Sequence, residues 1–180
     1  MANNNQVMTD QQRLTRVIES LEKVPQETKQ MVFDMAQSMT EVEIIRSFNQ
    51  QALDMFNLMI VITKRINREK DCNVAGYKAL FDNAIKINAK LPLDKFTLLI
   101  LEFAAEIYAE NENCFLDMAI PDAKVTVGNE FGLIRSQMFK NLWKDLNQTD
   151  KNSLKEVIIP LTTFAHAHLY KTVLLQRIKN

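Results

Sequence analysis

The sequence predicts an all-α protein, a single-domain helical bundle of about seven helices with one long irregular loop at about residues 111–130. Apolar side chains recur at every third or fourth position through nearly the whole chain, which is the period of an amphipathic helix. Glycine occurs 3 times and proline 4 times in 180 residues, too rarely for the many tight turns of a β-rich fold. A chain of this length suits one core, so we expect one domain over residues 9–180 behind a flexible N-terminal tail, residues 1–8.

Capping residues and prolines delimit the first three helices. Thr9 or Asp10 can cap the start of the first helix, and Pro25 ends that helix and can begin the second. Thr40 and Glu43 have the spacing of a capping box, in which each side chain accepts a hydrogen bond from the other residue's backbone N–H. We therefore expect a third helix to begin here, unless the second helix simply continues. The third helix carries a heptad-like apolar seam formed by Ile45, Phe48, Ala52, Met55, Met59, Ile62 and Ile66.

The fourth and fifth helices are separated by a proline. The fourth follows a turn at Asp71 and Asn73 and ends near Lys90, and Pro92 separates it from a fifth helix capped by Asp94. The fifth helix is the most apolar in the chain, so we expect it to lie at the centre of the bundle. A narrow acidic strip at four-residue steps is predicted to face water. This strip consists of Glu102, Glu106 and Glu110.

Helical periodicity fails between about Asn111 and Gly132, a segment that contains two of the three glycines. A long connection in a compact domain is either a functional loop or a disordered one. The candidate functional loop residues are Pro121, Asp122, Lys124, Gly128 and Gly132. A helix over residues 131–146 is predicted to follow. The last helix starts around Asp150 to Ser153 and runs nearly to Asn180, with a kink at Pro160.

Charge and composition indicate an intracellular protein. The 22 basic residues balance 22 acidic ones, so no overall field attracts nucleic acid or anionic lipid. Cys72 and Cys114 lie far apart and neither has a C-x-x-C partner, so neither a disulfide framework nor a zinc site is indicated. The polar N-terminus lacks the features of a signal peptide, and the apolar stretches are too short and too interrupted to cross a bilayer. We expect a cytoplasmic or other intracellular location without membrane insertion.

The chain contains none of the short motifs that mark common active sites. Glycine-rich phosphate loops, the G-x-S-x-G elbow and the H-E-x-x-H metal motif are all missing from the sequence. His166 and His168 are two positions apart, which on a helix separates them by about 200° and argues against a shared metal ion. We therefore predict no catalytic residue, no cofactor and no metal site.

Methionines provide the main functional signal. Because methionine is unbranched and polarizable, its side chain adapts to varied partners, although core filling explains the same spacing. We predict a non-enzymatic interaction or structural protein that self-assembles or binds a protein partner through helical faces, for example as a viral or other particle component. The candidate partner interface comprises Met31, Met35, Met39, Met55, Met59 and Trp143.

Two other functions are compatible with the sequence. The first is an enzyme or small-ligand-binding bundle with a pocket between helices, a lid formed by residues 121–132, and Glu102, Glu106 or His168 inside. The second is a nucleic-acid-binding protein that uses the basic end of the third helix. That end carries Lys64, Arg65, Arg68 and Lys70. Interaction with the negative end of the helix dipole explains the same cluster, and the zero net charge disfavours nucleic acid.

Overall fold

The computed structural model describes residues 9–114 and 142–174, and the regular structure of these residues is helical throughout. The all-α prediction is therefore confirmed. The helices are α1 (Asp10–Glu22), α2 (Gln26–Ser38), α3 (Glu41–Arg65), α4 (Glu69–Cys72), α5 (Val74–Ile87), α6 (Leu91–Leu101), α7 (Ala104–Tyr108) and α8 (Gln148–Leu169). A helical turn over residues 142–145 precedes α8, and a π-helical turn, Tyr170–Leu174, follows it.

Several predicted features lie outside the described residues. They are the N-terminal tail, most of the predicted helix over residues 131–146, and the candidate functional loop with Pro121, Asp122, Lys124, Gly128 and Gly132.

Two of the three predicted N-terminal caps are present. The predicted cap at Asp94 was wrong, because α6 already begins at Leu91, with Pro92 and Asp94 inside its first turn and no side-chain cap. Thr9 caps α1 through a capping box with Gln12. At α3, the Thr40 hydroxyl accepts a hydrogen bond from the Glu43 amide at 3.2 Å, while the Glu43 carboxylate accepts one from the Thr40 amide at 2.8 Å. The Thr40 box satisfies N–H groups that would otherwise lack partners at a helix start, so the chain begins a new helix there instead of continuing α2.

Helix α3 is the longest helix described, and its buried face follows the predicted steps of three and four residues. The buried apolar residues of this face are Ile44, Phe48, Ala52, Phe56, Met59 and Ile62. The predicted seam therefore begins one position too late, since Ile45 is only half-buried. Met55 and Ile66 are likewise half-buried and pack at the edge of the core.

The predicted fifth helix is interrupted, and it is not the central one. Helix α6 ends at Leu101, and α7 begins only at Ala104. The Ser20 hydroxyl of α1 accepts a hydrogen bond from the Ala105 amide at 3.1 Å, so a side chain from another helix satisfies an N–H in the first turn of α7. The prediction of one continuous helix was wrong because neither proline nor glycine marks this break.

Helix α8 occupies the centre of the described bundle. It packs against α2, α3, α6 and α7, and most of its second half is buried. Its N-cap is Asn147, whose side-chain oxygen accepts a hydrogen bond from the Asp150 amide at 2.8 Å, so α8 begins earlier than predicted. The helix continues through Pro160. One turn earlier, the Val157 carbonyl accepts a hydrogen bond from the Gln51 side chain of α3 at 3.5 Å.

The buried side chains form two separate clusters. The main core joins α1, α3, α5, α6, α7 and α8 with the helical turn at residues 142–145. The small core contains Val32, Ala36, Ile44 and Ala167, flanked by the half-buried Met35, Met39, Phe164 and Tyr170. Helix α2 thus packs on the rest of the protein through the small core. None of the helices within residues 9–114 and 142–174 is long and apolar enough to span a membrane.

Candidate functional site: two buried histidines of α8

Both histidines of the chain lie inside the protein, on the second half of α8. His166 is 0% exposed and His168 is 5% exposed. Because residues two apart on a helix point in different directions, the two imidazoles have different neighbours. His166 faces α7 and the π-helical turn, whereas His168 faces α3.

His166 lies between two tyrosines. Its Nδ1 is 3.2 Å from the hydroxyl of Tyr108 on α7, and its ring stacks on Tyr170 with centroids 4.8 Å apart. Among the described residues, its buried Nε2 has no hydrogen-bond partner. An unpartnered buried nitrogen lowers stability, and His166 Nε2 is one of four such side-chain atoms among the described residues.

The surroundings of His166 favour uncharged groups. Burial and, to a smaller extent, the nearby cation Lys29 lower the pKa of His166 to about 4. Burial also raises the pKa of Tyr108 to about 12. At neutral pH the site therefore holds a neutral imidazole beside a neutral phenol, which can share a hydrogen bond without any buried charge.

His168 belongs to a mixed polar contact at the start of α3. Its Nε2 is 3.2 Å from a carboxylate oxygen of Glu41, and the same oxygen is 3.4 Å from the Lys90 ammonium. Burial lowers the pKa of His168, while the Glu41 carboxylate opposes that effect. The hydrogen bond from His168 in turn lowers the pKa of Glu41. If His168 became protonated, its positive charge would therefore lie next to the Glu41 carboxylate.

The predicted acidic strip does not face water as a unit. Glu102 is nearly buried and pairs with Arg16 at 3.1 Å and with Arg13 at 3.2 Å. One carboxylate oxygen of Glu106 is buried, and only Glu110 is exposed. The interpretation of all three as a solvated stripe was thus wrong for Glu102, because two arginines of α1 cover it.

The acid and base groups expected in a ligand pocket are not assembled around His168. The charges that act on His168 come from Glu41, Lys90 and Asp94, whereas Glu102 binds the arginines of α1. Within the described part of the chain, no group of three or more histidine, cysteine, aspartate or glutamate side chains is arranged to hold a metal ion. Both cysteines are buried, and burial raises the pKa of the Cys72 thiol.

Helix α3 ends at Arg65, so Arg68 and Lys70 of the predicted basic cluster lie beyond it, and the two arginines of the cluster pair with carboxylates. Arg65 is 2.5 Å from the buried Asp150 carboxylate, and Arg68 pairs with both Asp145 and Asp71. The Arg65–Asp150 pair joins α3 to the start of α8, and the Arg68–Asp145 pair joins the segment after α3 to the helical turn at residues 142–145. Both arginines are therefore already engaged in ion pairs within the chain, whereas binding a phosphate backbone would require them to be available.

The candidate interface residues fall into three groups by exposure. Met59 and Trp143 belong to the main core, where the chain's own helices cover them, so they leave the candidate contact surface. Met35, Met39 and Met55 are half-buried against the two cores. Met31 is 50% exposed on the outer side of α2.

Sequence reasoning missed the two tyrosines of the histidine site. Tyr108 is far from His166 in sequence, so no local pattern could connect them. Tyr170 follows His166 by four residues, a spacing that places two side chains on one helix face, and this is the one signal that could have found it.

The fold and this site define an all-α bundle in which a central helix holds a buried histidine between two tyrosines. Over 171 residues the chain is 60% identical to the uncharacterized protein R465 of Acanthamoeba polyphaga mimivirus, and the match covers 95% of each chain. The chain therefore belongs to the same family as this viral protein. No family model matches the sequence. No solved structure matches the chain.

Proposed function

We propose that this protein is a non-enzymatic structural or interaction protein of viral origin that assembles with itself or with a protein partner through the outer face of α1. The similarity to a mimivirus protein supports the viral part of the proposal. The observation that carries the assembly part is an exposed aliphatic pair. Leu14 and Ile18 lie one turn apart on α1 and are 41% and 50% exposed.

An exposed aliphatic pair on one helix turn suits a helix-to-helix contact. Single exposed apolar residues are common, but adjacent ones on one face form a continuous surface that water solvates poorly. Met31, at 50% exposed, is the candidate interface residue most open to solvent on α2. An adaptable thioether can extend an aliphatic contact without demanding one fixed geometry.

The test is the mass in solution of the wild-type protein and of a charged variant. We expect the wild type to show a concentration-dependent mass above that of one chain in light scattering after gel filtration. The double variant Leu14→Glu, Ile18→Glu should give the monomer, because burying two carboxylates in an apolar contact is strongly unfavourable.

The matched control is Val61→Glu. Val61 is 61% exposed on a different helix, so this variant adds the same charged side chain away from the α1 surface. We expect it to assemble like the wild type. If the wild type is monomeric at millimolar concentration and cross-linking in the native viral context joins no protein to α1, the proposal fails.

A further inference from the structure

Within residues 9–114 and 142–174, helix α2 packs against a small set of neighbours. Its main packing partners are α8 and the π-helical turn. The small core on which it packs has four fully buried members: Val32 and Ala36 of α2, Ile44 of α3 and Ala167 of α8. At its C-terminal end, the Lys171 ammonium donates to the Ala36 carbonyl at 3.0 Å. The undocking of α2 can therefore be separated from the unfolding of the main core.

His166 lies at the centre of a row of rings that joins α2 to α7. Phe33 of α2 meets Tyr170 edge-on, with centroids 6.3 Å apart. Tyr170 stacks on His166, and His166 contacts the Tyr108 hydroxyl. Ala167, the next residue on α8, belongs to the small core. A change in the charge or position of the imidazole therefore affects the residues against which α2 packs.

The groups around His166 are suited to a neutral ring and not to a cation. Tyr108 on α7 and Tyr170 on the π-helical turn are phenols whose pKa values are raised by burial, so both stay uncharged at neutral and acid pH. The charge that reaches His166 from α2 is the Lys29 ammonium. The charged groups of α3 and α6, Glu41 and Asp94, together with Lys90, act on His168 instead.

We propose that α2 is an acid-releasable helix, in which protonation of His166 at Nε2, which has no hydrogen-bond partner among the described residues, separates α2 from α8 while the main core stays folded. The proton comes from solvent and remains on the imidazole. Release exposes the inward face of α2, which contains Val32, Met35, Ala36 and Met39. The inference does not rest on the proposed assembly through α1, since it concerns the isolated chain.

The direction of the effect follows from the two protonation equilibria. Burial holds the pKa of His166 at about 4 in the docked state, whereas a solvent-exposed imidazole titrates at about 6.5. The released state therefore binds the proton more tightly. The neutral imidazole therefore stabilises the docked state most strongly above pH 6.5, and this stabilisation decreases as the pH falls toward 4. From these two pKa values, the equilibrium constant for the release of α2 increases roughly twentyfold between pH 7 and pH 5.

Hydrogen exchange measured by mass spectrometry tests the inference, with each amide corrected for its intrinsic pH dependence. We expect the protection factors of α2 amides to fall roughly twentyfold between pH 7 and pH 5. Amides of α3 between Phe48 and Ile62 should keep their protection. Unchanged protection of α2, or parallel loss in α2 and α3, would overturn the inference.

Two substitutions on α8 distinguish the contribution of His166 to the pH response from that of His168. His166→Phe keeps a ring for stacking but cannot be protonated, so α2 protection should no longer depend on pH. His168→Gln is the matched control and should keep the wild-type response. Retention of the full response in His166→Phe would overturn the inference. If His166→Phe does not fold, NMR titration of the wild-type imidazoles decides: a His166 midpoint well below 6.5 supports the inference, and one near 6.5 overturns it.

Discussion

At the scale of single residues, Glu102 illustrates a contact that periodicity cannot predict. Its spacing from Glu106 and Glu110 indicates a polar helix face, and the sequence offers no reason to bury it. In the folded chain, Arg13 and Arg16 reach it from α1, more than eighty positions earlier. A carboxylate becomes tolerable near a core when it accepts charge-assisted hydrogen bonds, so the folded partners and not the local pattern determine its environment.

The two arginines should contribute unequally to stability. Both bind the same carboxylate at nearly the same distance, but the Arg13 side chain is 13% exposed and that of Arg16 is 60% exposed. We expect Arg13→Gln to lower the free energy of unfolding by about 1–3 kcal/mol. Arg16→Gln should cost less than about 1 kcal/mol, because solvent screens an exposed pair. Urea unfolding of both variants measures the difference, and equal losses would contradict the role of burial.

At the scale of elements, the helix starts that are set by local chemistry were predictable. The caps at Thr9 and Thr40 involve residues three positions apart, and the structure has both. The break between α6 and α7 was not predictable, because a serine from α1 supplies a hydrogen-bond partner there. The central position of α8 was also hidden, since buried threonines and histidines interrupt its apolar pattern. Local signals thus predict some helix starts, such as those of α1 and α3, but not those of α6 and α8, while contacts distant in sequence decide where helices break and how they pack.

The capping box of α3 should be measurable in the stability of the whole chain. Thr40→Ala removes the side-chain acceptor for the Glu43 amide, and we expect a loss of about 1 kcal/mol. Thr40→Ser keeps the hydroxyl and should retain most of the stability. Thr9→Ala removes the equivalent side-chain cap from α1. A loss for Thr40→Ser as large as that for Thr40→Ala, in urea titrations followed by circular dichroism, would show that the hydroxyl is unimportant.

At the scale of the whole molecule, the two cores stabilise different parts of the bundle. Helix α3 contributes to both, with Ile44 in the small core and Ile62 in the main core. The ion pair of Arg65 with Asp150 joins its far end to the start of α8. The main core thus has packing and ion pairs on several helices, whereas the small core depends on the docking of α2. Such an uneven distribution permits one part to open while the other remains folded.

Ile44 and Ile62 offer a matched test of this division, because both are isoleucines of α3 and both are essentially fully buried. Truncation to alanine removes the same atoms at each site. We expect Ile62→Ala to lower the global free energy of unfolding by about 2–5 kcal/mol, since its cavity lies in the main core. Ile44→Ala should mainly weaken the docking of α2, so that α2 amides exchange faster at neutral pH while the denaturant midpoint of the main core moves less. Because the packing loss is present at every pH, the exchange of α2 in Ile44→Ala should start from a higher level and still increase on acidification. If Ile44→Ala instead lowers global stability as much as Ile62→Ala and leaves the exchange of α2 no faster than that of α5, the two clusters form one cooperative core and the independent release of α2 has no structural basis.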